Sequence, residues 1–238
     1  MTPEAPLPPP VFEAARWRRA LAELIGTGLL VTVVVGSGIA AARLSPSDAG
    51  LQLLENSLAT TLGLAVLILL FASVSGSHFN PVVTLVDAAL QPRTARGTAV
   101  AAYLVAQVAG AIGGSVLANA MFGVATTIST TERADAGRLL GEVVATAGLV
   151  LLIFALVRTG RPALVAPAVG AYIGAAYWFT SSTSFANPAV TVGRIFTDTL
   201  AGIEPGSALW FIGAQLVGGA LGFGLVLLLF PRVTLNHS

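Results

Sequence analysis

Two short stretches carry the residue types from which chemistry can be built. Ser77-His78-Phe79-Asn80-Pro81-Val82-Val83-Thr84 lies in the first half of the chain, and Ser184-Phe185-Ala186-Asn187-Pro188-Ala189-Val190-Thr191 in the second. Ser, Asn-Pro, Val and Thr recur at the same offsets in both. Asn is a preferred helix N-cap, and Pro fits the first helical position because its missing N–H would be unpaired there, so each copy reads as a helix start. The first helix runs from Asn80 to about Leu90, before Pro92, and the second from Asn187 to about Asp198. Roughly ten residues make roughly 15 Å of helix, about half the hydrocarbon thickness of a bilayer. Ser75-Gly76-Ser77-His78 also sets nucleophile and base types side by side, but adjacency in sequence is not triad geometry and no Gly-x-Ser-x-Gly elbow accompanies it. An intramembrane hydrolase is therefore disfavoured, and the chain is not expected to be an enzyme.

The elements that must position these stretches are membrane spans. The 238 residues are 55% hydrophobic and only 10% charged, with mean hydropathy +0.85, against about 25% charged in soluble domains. The absence of Cys removes disulfides and thiolate metal sites, and two His far apart in sequence do not make a metal cluster. No metal and no cofactor are expected, and a net charge of +1 points to no nucleic-acid partner. Apolar runs over 17–41, 51–72, 97–122, 138–157, 163–181 and 207–230 are each long enough to cross. Residues 1–16 form a Pro-rich tail expected to be disordered, 17–231 one channel-like domain with repeats over about 17–122 and 138–230, and 232–238 a short C-terminal tail. Arg16-Trp17-Arg18-Arg19 before the first run imitates a secretory signal, but the repeat needs that run as a mature span. With the N-terminus inside, Arg16, Arg18, Arg19, Arg93, Arg96, Arg158, Arg161 and Arg232 fall on the cytoplasmic side, and only Arg43, Arg133, Arg138 and Arg194 outside. That excess predicts both termini in the cytoplasm.

The repeat extends beyond the twin stretches. Ala106-Gln107 answers Ala214-Gln215, and Ala22-Glu23 answers Gly141-Glu142. Three spans per half is an odd number, so the second half must insert upside down, and the two half-helices then enter from opposite faces with their N-termini meeting near the midplane. Re-entrant backbone at that depth survives only where it is buried in protein or lines a wet cavity. The expected fold is an all-α membrane protein with six spanning helices and two re-entrant half-helices in an inverted repeat. Facing helix N-termini and amide donors on Asn80 and Asn187 would repel cations and favour neutral hydrogen-bonding molecules. Both Asn-Pro pairs also fit ordinary capped helices in a packed bundle, but two in register on half-length helices argue against that.

Several single residues leave alternatives open. Glu23 and Glu142 read as buried carboxylates accepting N–H bonds from the re-entrant loops, or as a proton-coupling or ion site. His78 is a structural, a solute-contacting or a pH-sensing residue. Asp87 and Arg194, seven residues after their respective Asn, read as interfacial charges rather than filter elements.

The doubled motif, with Glu23, Glu142, Gln107 and Gln215, resembles the aquaporin and aquaglyceroporin (major intrinsic protein) family over about residues 17–231. The resemblance implies a homotetramer with one pore per subunit, embedded in a lipid bilayer and conducting water or small neutral solutes passively. It marks Asn80, Pro81, Val82, Asn187, Pro188 and Ala189 as the pore motifs, and His78, Glu23 and Glu142 as support for the pore loops. Two departures stand out. Val82 occupies the place of the usual Ala in the first motif, and Val190 that of the Arg that normally follows the second; Arg194 lies a full turn further on. Counting back from the motifs maps the remaining filter positions to Thr60, Ala175 (or Gly174) and Ser184. Together with Val190 these are small and uncharged. By analogy the filter looks wide and suited to glycerol-like polyols, urea or undissociated arsenous acid. Tyr177 to Thr191 also looks like bacterial aquaporins associated with arsenic resistance, which implies a bacterial-type inner membrane. The alternatives are a strict water channel and an ion-coupled secondary transporter using Glu23 and Glu142.

Overall fold

The computed structural model describes residues 14–91 and 97–231. Most of the Pro-rich tail, Arg93, Arg96, Arg232 and His237 lie outside the described residues. Among the described residues eight α-helices follow in order: α1 (Arg16–Leu44), α2 (Ala49–Ser75), α3 (Pro81–Leu90), α4 (Gly97–Met121), α5 (Ala136–Arg158), α6 (Val165–Phe179), α7 (Pro188–Gly193) and α8 (Pro205–Leu229). Short 3-10 turns over Pro162–Leu164 and Arg194–Phe196 lead into α6 and extend α7. Among the described residues six helices are long and apolar enough to cross a membrane; the fifth of them counts the first 3-10 turn with α6. α3 and α7 are the short ones, as the sequence leads one to expect. We call the side from which α1 starts the N-terminal face and the other the distal face.

The polarity of the packing is that of a protein in lipid. Leu54, Leu58, Leu62, Leu69, Leu209 and Leu228 are exposed, whereas Glu23, Glu142, Gln107, Gln215, Asn119 and Thr146 are fully buried. Interior polar groups need partners there because hydrocarbon supplies none. The spanning helices close on one another through small residues. A methyl group built on Gly110 or Gly114 of α4 would overlap backbone of α1, at Leu24 and Gly28. One on Gly218 or Gly222 of α8 would overlap backbone of α5, at Val143 and Ala147. The α1–α4 contact in the first half is thus repeated as α5–α8 in the second.

The two re-entrant loops repeat each other at the level of backbone angles. Positive φ occurs at Gly76, Ser77 and Phe79 in the first, and at Thr183, Ser184 and Ala186 in the second. Five of these six are not glycine, and each such residue costs on the order of 1–3 kcal/mol, which a surrounding structure must offset. The offsetting contacts are those of the buried carboxylates described next.

The candidate pore and its two re-entrant loops

Each loop is held by one carboxylate. Glu23 Oε1 accepts from His78 N at 3.0 Å and Ser75 Oγ at 2.6 Å, and Oε2 from Phe79 N at 2.7 Å. Glu142 accepts from Phe185 N and Ala186 N, both at 2.8 Å. A glutamine from the next spanning helix completes each set: Gln107 Nε2 donates to Glu23 at 2.8 Å and to Thr84 Oγ1 at 2.9 Å. Gln215 Nε2 donates to Glu142 at 2.6 Å and to Thr191 Oγ1 at 2.9 Å. Neither carboxylate is part of the wall of the cavity described below, and their bonds give both a loop-holding role.

The two Asn residues lock the loops to each other. Asn80 Oδ1 caps α3 through Val82 N at 2.9 Å, while its Nδ2 donates to Ala186 O of the opposite loop at 2.8 Å. Asn187 Oδ1 caps α7 through Ala189 N and Val190 N, and its Nδ2 donates to Phe79 O at 2.7 Å. One of the two hydrogens on each amide is spent across the junction, leaving one for the lumen. Pro81 and Pro188 occupy the first turns, as Asn-Pro spacing dictates. Val82, where the smaller Ala is usual, meets a glycine: a methyl on Gly219 of α8 would overlap Val82 Cγ1. The extra bulk is absorbed by α8.

A cavity of about 680 Å3 runs past this junction. From the N-terminal face its wall includes Arg158, Gln91, Asp87 and His78; at the middle Asn80, Asn187 and Ala186; at the distal end Val190, Thr60, Tyr177, Phe185 and Arg194. Leu30, Val34, Leu64, Leu149, Val169 and Ile173 make the remaining wall apolar. One face of the path can hydrogen-bond and the other cannot.

The filter positions counted from the sequence divide. Thr60 and Val190 line the cavity. Ala175 is exposed on the outside of α6 and Gly174 packs on Thr61; neither reaches the lumen, and Tyr177 stands at the wall instead, its hydroxyl 3.2 Å from Thr60 Oγ1. Ser184 is buried within its loop, off the cavity wall, with no hydrogen-bond partner for its Oγ. Asp87 and Arg194, read from sequence as interfacial charges, both face the cavity. Sequence reasoning also missed Tyr177 and Phe185. The available signal was a Tyr two residues along α6 from the counted position, and an aromatic ring two residues before the second Asn, where the first half has His78.

The comparisons with known proteins agree with this geometry. The profile of the family described as "Major intrinsic protein" matches residues 11–181, most of the chain. The chain belongs to the major intrinsic protein family. Its relatives include aquaglyceroporin AqpS of Rhizobium meliloti (strain 1021), 49% identical over 210 residues that cover 88% of each chain. Probable aquaporin TIP2-2 of Oryza sativa subsp. japonica is 34% identical over 226 residues, covering 90% of this chain and 88% of that one. The X-ray structure of the aquaglyceroporin from Plasmodium falciparum shares the fold, with a TM-score of 0.67 at 19% identity, over 89% of this chain and 96% of that one. As a member of a family of channels, this major intrinsic protein is a channel and not an enzyme.

Proposed function

We propose that this major intrinsic protein is a passive channel for small neutral solutes: water, glycerol-like polyols and undissociated arsenous acid. The observation that carries this reading is the cavity running past Asn80 and Asn187 between one hydrogen-bonding and one apolar wall. A polyol presents hydroxyls on one side and C–H groups on the other, and such a lumen accommodates both. Val190 directly after Asn187-Pro188-Ala189, with Thr60 near it, leaves room beside the junction that an Arg there would fill. The similarity to a relative named as an aquaglyceroporin supports a solute larger than water. Two helix N-termini meeting at the junction oppose cations.

The setting belongs to the same proposal. The protein sits in a bacterial inner membrane with both termini cytoplasmic, supported by Arg16, Arg18, Arg19, Arg158 and Arg161 gathered on one face. It assembles as a homotetramer with one pore per subunit, in keeping with its family.

The test is stopped-flow light scattering on proteoliposomes, with water, glycerol and arsenous acid as permeants, for wild type and Val190→Arg. Wild type is expected to pass all three, and the variant to keep water while losing at least about tenfold of the glycerol flux, since an added buried guanidinium narrows and charges the site. A wild type that passes water alone would make this a strict water channel.

A further inference from the structure

The seventh residue after each Asn faces the lumen, and the two are opposite in charge. Asp87 near the N-terminal face lies in a mixed environment: Gln91 Nε2 donates to it at 2.7 Å, His78 Nε2 is 4.0 Å away, and Arg158 shares the same mouth. Arg194 at the distal end differs in three respects. It is 4% exposed, and among the described residues no carboxylate lies within ion-pair distance of it. Its guanidinium carbon lies 3.4 Å from the centroid of the Phe185 ring, which is itself packed edge-on against Phe211 at 5.1 Å. Its Nε donates to Ala201 O, and Arg194 O accepts from Ile203 N at 3.3 Å. A buried guanidinium without a counter-ion is costly unless its remaining donors are used, and here the residue lines the same cavity as Tyr177 and Thr60.

We infer that Arg194 is the specificity-determining cation of this pore, moved one helical turn from the place occupied by Val190 and held flat by Phe185. Stacking and the bond to Ala201 fix the plane of the guanidinium, so its free N–H edge forms a two-donor fork at the distal end of the lumen. That fork serves two purposes. It repels small cations, which the apolar wall opposite does not screen. It also takes two oxygens of a neutral polyol or oxyacid, with the Tyr177 and Thr60 hydroxyls, able to donate or accept, beside it. The pore is thus wide at Val190 and charged above it. This deepens the proposed function, on which it rests, by naming the group that selects.

The experiment uses the full chain in proteoliposomes, measuring water, glycerol and methylammonium fluxes on the same preparations. A wild type that passes no water or glycerol would sink the channel reading itself, whatever the cation result. With that flux present, Arg194→Gln is expected to raise the methylammonium-to-water permeability ratio at least about tenfold, from the loss of one unscreened charge in a site of low dielectric. Arg194→Lys keeps the charge and is expected to remain cation-tight, but its ammonium neither stacks nor forks, so the glycerol-to-water ratio falls by about threefold or more. An Arg194→Gln channel that still conducts water and whose methylammonium-to-water ratio equals that of wild type would overturn the inference. Should the Gln variant fail to insert, an unchanged glycerol-to-water ratio in Arg194→Lys would overturn it as well.

Discussion

The two re-entrant halves of this protein are built on one plan and finished with different chemistry. Around the junction the correspondence is close: Glu23 answers Glu142, Gln107 answers Gln215, Thr84 answers Thr191, and each Asn amide crosses to the other loop. Two residues before each Asn, the plan holds in shape and changes in kind. His78 packs edge-on against Tyr103 at 5.4 Å, and Phe185 against Phe211 at 5.1 Å. The imidazole faces the Asp87 carboxylate, whereas the phenyl ring carries the Arg194 guanidinium. Symmetry governs what holds the loops; asymmetry appears where a solute enters or leaves.

The surroundings of the two half-helices differ in the same sense. The distal end of α7 is knitted into its loops: Ser129 N donates to Ile195 O at 2.8 Å, Asn119 bonds both Phe196 O and Thr197 Oγ1, and Asp198 accepts from Thr130 N at 2.9 Å. Arg133 donates to Gly202 O at 2.6 Å and Leu200 O at 2.8 Å, and lies 5.5 Å from the Phe185 ring. Burial, with Arg138 nearby, lowers its guanidinium to about 10, so it stays cationic at neutral pH. A displaced cation such as Arg194 needs a stiff frame, and these bonds supply it.

The comparison can be broken most severely at the carboxylates. Glu23→Gln and Glu142→Gln each replace an acceptor of several N–H bonds by an amide that turns donors towards donors. Both are expected to lose on the order of 3–5 kcal/mol of stability, the usual cost of breaking a buried charged cluster. Thermal unfolding in detergent should show large and similar falls in the two variants. A normal melting temperature in either one would mean that its half does not depend on its carboxylate.

A smaller effect sharpens the same comparison at the motif itself. Val82 in the first half stands where the second has Ala189, and Gly219 of α8 makes room for it. Gly219→Ala is expected to destabilise by about 1–3 kcal/mol through overpacking. Val82→Ala added to it should restore most of the loss, read as recovery of the melting temperature. Failure of the second change to rescue would mean that the two residues are not paired in volume.

The smallest effect lies on the distal face. Glu204 caps α8, accepting from Gly206 N at 2.7 Å and Ser207 N at 2.6 Å, and these bonds hold its carboxyl below the usual glutamate range. A depressed pKa in the folded state contributes stability above the unfolded value, and that contribution is lost as pH falls through the depressed one. Glu204→Gln should therefore lower the melting temperature by a few degrees at neutral pH and not in acid. An equal loss at both pH values would assign the effect to packing instead.

Much of this was legible in the sequence because it rests on composition and on repetition. Six apolar runs give six spanning helices, and the observed ends fall within a few residues of those read from breakers such as Pro46, Gly160 and Pro205. The half-helices follow from Asn-Pro and their short reach. What could not be read depends on rotation. Counting back to Ala175 assumes a loop of fixed shape, and at about 100° per residue an error of two positions turns a side chain from lumen to lipid. Tyr177 is inside and Ala175 outside for that reason. Ser184 sits at φ 50, in the left-handed region, where its side chain leaves the direction that an extended loop would give it. Arg194 begins a 3-10 turn after only six residues of α7. Its long side chain then reaches Phe185 across a gap that sequence separation does not reveal.

The central claim is that solutes cross a fixed lumen past two facing Asn residues without coupling to an ion. It is tested most directly by the initial rate of glycerol entry into proteoliposomes against glycerol concentration, with and without collapse of the proton and sodium gradients by ionophores. The account predicts a rate that rises linearly over the accessible range and is the same in both conditions. Saturation at low glycerol, or loss of entry when the gradients are collapsed, would contradict it and turn attention back to Glu23 and Glu142 as coupling groups.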